Sequence, residues 1–236
     1  MTTDPRVFSA WDATIVGLSV LAALYWIGTR RLAERRAPPR HVEQAAFIGG
    51  WLALLVAVLP WFDSAVIEHF SAPMPQHELM MLVGAPLLVA GRPLATCMWA
   101  MPPSWRRVVI APLQHDLAAR SMRRLTAPVV AWALHGAVLW IWHLPILYNL
   151  AVQSEPVHAI QNAMFVGTSM LFWSGLAYGR YGRSGYGAAV FFVFTTAVHT
   201  GLLGALIDVS RIPIYSVYAD SPGSSHDAAL AAQPAS

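Results

Sequence analysis

Four histidines of this chain, His77, His143, His158 and His199, fall at or near the same end of four different apolar segments. One imidazole in a membrane helix is commonly structural, but several at one depth can form a metal site, a haem site or a proton-linked site. His77 opens its segment within Pro75-Gln76-His77-Glu78, and Met80 and Met81 follow on roughly the same helical face. Imidazole with thioether is a soft donor set suited to Cu(I), although methionine is also an ordinary filler of apolar packing. His143 stands in Trp140-Ile141-Trp142-His143-Leu144-Pro145. There the tryptophans read as an interfacial belt and the proline ends the helix. His158 follows Glu155, a carboxylate able to orient the ring or simply to pair with it in water.

His199 differs from the other three because it lies inside its segment, in Val198-His199-Thr200-Gly201, some 13 Å deeper than Asp208 at the helical rise per residue. Lipid penalises an exposed ionisable group, so this ring is expected to face the bundle interior. His135 sits roughly 12 Å further into the bilayer than His143 and about 80° around the helix, as a haem ligand or an interior hydrogen bond. His69, with Asp63 and Glu68, falls in an outer loop and could add ligands, while His41 and His115 fall on the opposite side and read as solvent-facing.

Membrane helices must position these residues. The chain has 236 residues, of which 56% are hydrophobic and 11% charged, against about 25% charged in a soluble domain. Apolar runs at 14–29, 45–62, 77–91, 127–145, 158–178 and 187–208 make six spans of an all-α polytopic membrane bundle, one unit over residues 1–208. Pro86 should kink the third.

All fifteen basic residues are arginine, which leaves no lysine for Schiff-base or phosphate-loop chemistry. Arg30, Arg31, Arg35, Arg36 and Arg40 follow the first span, Arg92, Arg106, Arg107, Arg120, Arg123 and Arg124 the third, and Arg180 and Arg183 the fifth. The positive-inside rule makes these connections cytoplasmic and puts both termini outside, with only Arg6 and Arg211 on the outer face. This confinement of charge accounts for the isoelectric point near 9.4 without nucleic acid. The connection 92–126 mixes Trp105, Val108, Val109 and Ile110 with arginines, the pattern of an interfacial stretch drawn to an anionic inner leaflet. Asp4 and Asp12 argue against a cleaved signal peptide, and residues 209–236 read as a mostly irregular outer tail. A lone cysteine, Cys97, excludes an internal disulfide and a thiolate cluster.

In order and spacing, several short strings resemble the CtaG type of cytochrome c oxidase assembly protein associated with caa-type oxidases. They are Gln76-His77-Glu78-Leu79 with Ala85-Pro86-Leu87-Leu88 and Gly91-Arg92-Pro93, then Trp142-His143-Leu144-Pro145 with Leu147-Tyr148. Val157-His158-Ala159 leading to Phe165, and His199-Thr200-Gly201 with Leu203-Gly204-Ala205-Leu206, complete the set. The resemblance covers roughly residues 45–218 and implies a non-enzymatic membrane protein needed to make active oxidase. Oxidase subunits would be its partners, the bacterial plasma membrane its location, and copper its metal, handled by the histidines. Members of that family often carry further histidines where this chain has Pro73 and Asn162, and continue into a seventh apolar helix beyond the sixth span. The expectation is therefore an assembly factor presenting copper on the outer face through His77, His143, His158 and His199. The alternatives are a b-type haem or quinol redox protein using His135, His143 or His199, and a proton-linked transporter using His199 and Asp208.

Overall fold

The computed structural model describes residues 10–59, 73–114, 116–178 and 185–209, and these are all-helical. His69, Asp63, Glu68, His115, Arg180, Arg183, the side chain of Asp208 and the tail beyond residue 209 lie outside what it describes. Helix α1 runs over Ala10–Glu34 and α2 over His41–Ala57. The third span is composite: α3 (Pro73–Glu78), a π-helical turn (Leu79–Gly84) and α4 (Ala85–Gly91). It is followed by α5 (Pro93–Ala100), α6 (Pro103–Gln114) and α7 (Asp116–Leu125). Then come α8 (Pro128–Trp142), α9 (Pro145–Gln153), α10 (Glu155–Tyr178) and α11 (Gly185–Val209).

Two helices, over Asp12–Glu34 and Gly187–Ala205, are long and apolar enough to cross a membrane. The bent pairs α3–α5 and α8–α9, broken by 53° and 73°, raise the number to four if each is one span. Both breaks have the same cause. Pro93 and Pro145 each occupy the first turn of a new helix, where the missing N–H costs no hydrogen bond. Arg92 makes the 53° joint by adopting the left-handed region at φ 51°.

That joint changes the reading of residues 92–126. In their first part α5 turns back and packs along α1, burying Thr96, Cys97 and Ala100. A Cβ at Gly28 would collide with the carbonyl of Thr96, so only glycine permits this approach. The arginines around this stretch drew attention to surface, whereas Leu94 to Ala100 is apolar and carries small residues able to dock. Trp105 and Val108 in α6 are exposed, as are Arg107 and Arg120.

The composite third span is the wall between two cores. On one side Met80 joins Tyr25, Phe47, Leu54, Leu88 and Cys97 from α1, α2, α4 and α5. Tyr25 and Phe47 stack at 3.6 Å, and the Tyr25 hydroxyl donates to the Gly91 carbonyl across 3.2 Å. On the other side Met81 joins Leu139, Trp142, Tyr148, Phe165 and Leu203 from α8, α9, α10 and α11.

Candidate functional site

Pro86 determines the local geometry of the third span. Its ring clashes with a helical carbonyl one turn back and it brings no N–H, which an α-helix tolerates poorly. The chain responds with a wider turn, in which the Ala85 N–H bonds the Met80 carbonyl five residues earlier. In that register the next acceptor is Met81, and its donor would be the amide that Pro86 lacks. The Met81 carbonyl is instead met from α10 by the Ser169 hydroxyl and the Trp173 indole N–H, both at 2.9 Å. The kink expected at Pro86 is thus a π turn locked onto the neighbouring helix. Met80 and Met81 consequently face different cores, although sequence spacing places both beside His77.

His77 is buried at the junction of α3 and this turn, its ring edge-on to Phe165 at 4.7 Å. Next to it, Gln76 is 1% exposed and donates to the carbonyl of Ala57, capping the end of α2. Asn162 lies within hydrogen-bonding reach of His77, and His143 and His158 are close enough to act on the ring electrostatically. The Nε2 atom of His77 is buried without a hydrogen-bond partner.

His143 closes α8, and its Nδ1 lies 2.8 Å from the Leu139 carbonyl. A carbonyl only accepts, so Nδ1 carries the proton and the ring's lone pair is on Nε2, the tautomer typical of metal-binding histidines. The His143 ring stacks on Phe165 at 6.1 Å, so Phe165 is flanked by His77 and His143. His158, in the first turn of α10, lines a smaller cavity of about 190 Å³ with Met80, Asn162, Leu18, Leu54 and Val166.

His199 takes a different place. It sits between α11 and α8, 6.3 Å from the Trp132 ring, and neither ring nitrogen has a hydrogen-bond partner. Its Nε2 packs against Gly136, where an added Cβ would be 3.5 Å away. It is close enough to His135 to act on that ring electrostatically. His135 bonds Thr168 through Nδ1 at 3.2 Å, and the Thr168 hydroxyl donates to the Met164 carbonyl at 2.8 Å. With that hydroxyl proton already committed, Nδ1 of His135 is the donor. Of the two roles read for His135, the interior hydrogen bond is the one observed.

The four histidines therefore do not form one cluster: His77, His143 and His158 are near one another, whereas His199 is near His135. A cavity of about 460 Å³ links the two groups, lined by His77, His135, His143, Met81, Trp173 and Thr200. Among the described residues, no three His, Cys, Asp or Glu side chains are placed to hold one metal ion together. His41 is exposed at the start of α2, consistent with its solvent-facing assignment.

Sequence reasoning passed over Thr168, Ser169 and Trp173. The signal lay in α10, where buried Gln161, Phe165, Thr168, Phe172 and Gly175 recur at spacings of four and three. That stripe marks an inward face on which polar residues need partners.

The family comparison bears directly on this arrangement, because a model described as cytochrome c oxidase caa3 assembly factor (Caa3_CtaG) matches residues 23–235. No curated protein and no solved structure matches the chain. Since the match takes in the second half of α1, every histidine-bearing helix and the Pro86 turn, the chain belongs to the Caa3_CtaG family of cytochrome c oxidase caa3 assembly factors.

Proposed function

We propose that this chain is a multi-pass protein of the bacterial plasma membrane that assists maturation of a caa3-type cytochrome c oxidase without catalysing a reaction, and that copper is cargo at its outer face. Family membership over residues 23–235 is the observation that carries the assembly role. Six spans with both termini outside follow from the apolar runs and from the confinement of arginine to alternate connections. The partners are oxidase subunits within the bilayer, with the basic connections against an anionic inner leaflet.

Two observations support the copper reading. The Nε2 of His77 is buried beside a cavity without a partner. His143 lines that cavity with its Nδ1 held against the Leu139 carbonyl, and Met81 adds a thioether to its wall. Imidazole and thioether match Cu(I), which accepts sparse sets of soft donors. Since the described residues form no ready cage of three His, Cys, Asp or Glu, the reading is of transient carriage rather than a resident metal centre. His158 completes the outer group from the adjoining cavity, and His199 serves the deeper level with His135.

Deletion of the gene should abolish caa3-type oxidase activity, and complementation should restore it; normal activity in the deleted cells would end the assembly reading. Copper is tested separately by quantifying Cu(I) on purified protein carrying His77→Ala, His143→Ala, His158→Ala or His199→Ala. The outer three should lose copper more than His199→Ala, and undiminished copper in all four would remove the site.

A further inference from the structure

The far end of α1 carries a second constellation, unrelated to the histidines. Arg31 lies in the last turn of α1, Arg35 in the turn just after its end, and Arg106 comes from the first turn of α6. All three converge on Trp99 of α5. The guanidinium of Arg106 lies 4.3 Å from the Trp99 ring centroid and that of Arg35 5.1 Å. Arg31 donates through Nη1 to the carbonyls of Ala100 at 2.7 Å and Trp99 at 3.4 Å, capping the end of α5. A pocket of about 330 Å³ opens between them, with Pro102 and Pro103 on its floor.

Three guanidinium groups around one pocket repel one another, and a soluble surface would disperse them. Here the backbone carbonyls and the Trp99 face hold them in place. The one acidic side chain lining the pocket, Glu34, forms no ion pair with any of the three. Preorganised guanidinium forks match a phosphate group, which takes them bidentately.

The surroundings indicate where that phosphate comes from. Trp26, 59% exposed beneath Arg30, and Trp105, 68% exposed, lie at the same end as Trp99. Tryptophans at such a level mark the headgroup region of a bilayer. The helical face bearing Arg31 continues to Ile27 and Val20, which are exposed and apolar. A charged cradle running into an apolar stripe fits a headgroup with acyl chains better than it fits a free anion or an acidic peptide.

We propose that Arg31, Arg35 and Arg106 around Trp99 form a binding site for the phosphate of an anionic glycerophospholipid. Assignment to the inner leaflet rests on the topology above, whereas the phosphate chemistry does not depend on copper or on the oxidase.

The test is native mass spectrometry of full-length protein in detergent, titrated with phosphatidylglycerol, phosphatidylcholine or inorganic phosphate. Wild type should retain one phosphatidylglycerol more tightly than phosphatidylcholine. Arg35→Gln with Arg106→Gln should weaken that binding about tenfold or more, from the worth of each arginine at an anionic surface. Arg107→Gln with Arg120→Gln, which alters exposed arginines outside the pocket, should leave it unchanged. Arg35→Lys with Arg106→Lys keeps the charge and the fold but loses the fork, and should fall between. Equal losses in the two glutamine pairs would reduce the effect to diffuse charge and overturn the site. Equal retention of the two lipids, equal competition by inorganic phosphate, or displacement of the lipid by a polyglutamate peptide at lower concentration would overturn the lipid assignment. Each result is read without oxidase or copper, so failure here is distinct from failure of the assembly role.

Discussion

Removing the two side-chain donors of the Met81 carbonyl should cost more together than separately. Ser169, fully buried, and Trp173 both donate to this oxygen. Pro86 denies it a donor from its own helix. In Ser169→Ala the oxygen keeps the indole, so the loss is one shared hydrogen bond, about 1 kcal/mol. Trp173→Phe keeps the hydroxyl donor and most of the ring packing, for a similar loss of about 1 kcal/mol. The double variant leaves a buried carbonyl with no donor, adding a desolvation cost of about 1–3 kcal/mol, so the total becomes roughly 3–5 kcal/mol rather than about 2. A third substitution closes the argument. Pro86→Ala returns an N–H to the helix, and Met81 then finds a donor from its own segment, through the restored amide at position 86 in the π register or that of Ala85 in the α register. In that background the excess cost of the double variant should vanish. Reversible unfolding in mixed micelles, arranged as a double-mutant cycle with and without Pro86→Ala, measures these quantities. Additive single effects, or an excess that persists in Pro86→Ala, would refute the claim that the proline created the need for both donors.

Other consequences follow from the same geometry. Gly50→Val places a Cβ 2.7 Å from the Leu88 nitrogen and 2.9 Å from the Gly84 carbonyl, and should destabilise by about 2 kcal/mol through overpacking. Gly167→Ala, with nothing within 4 Å inside α10, should be tolerated and stabilise by about 0.5–1 kcal/mol in the same unfolding assay. Thr168→Val removes the acceptor of His135 Nδ1 and should shift that ring towards the Nε2–H tautomer, read by nitrogen-15 shifts, with a loss of about 1–3 kcal/mol. Copper retention should fall on acidification below neutral pH, because a protonated imidazole has no lone pair to offer, and should return on neutralisation. Retention that is flat across this range in equilibrium dialysis would point to thioether ligation without histidine.

Much of this protein is legible along the chain because membrane helices are read from local properties. The apolar runs anticipated α1, α2, α8, α10 and α11. Pro86 and Pro145 marked the irregular turn and the break where they occur, since a missing N–H acts on its own helix wherever it is placed. The common end assigned to His143 and His199 did not make them partners: His199 lies near His135 instead.

What sequence alone did not determine is which side chains meet. Contact across helices depends on the rotation of each helix about its own axis, and one extra residue in a π turn swings the following face by about 100°. Only the folded structure sends Met80 to the core of Tyr25 and Met81 to the core of Phe165, separates His199 from His77, and folds residues 93–100 back onto α1. Periodicity determined which helices form; the proline-driven turn and the close approach at Gly28 decided which histidines and arginines come together.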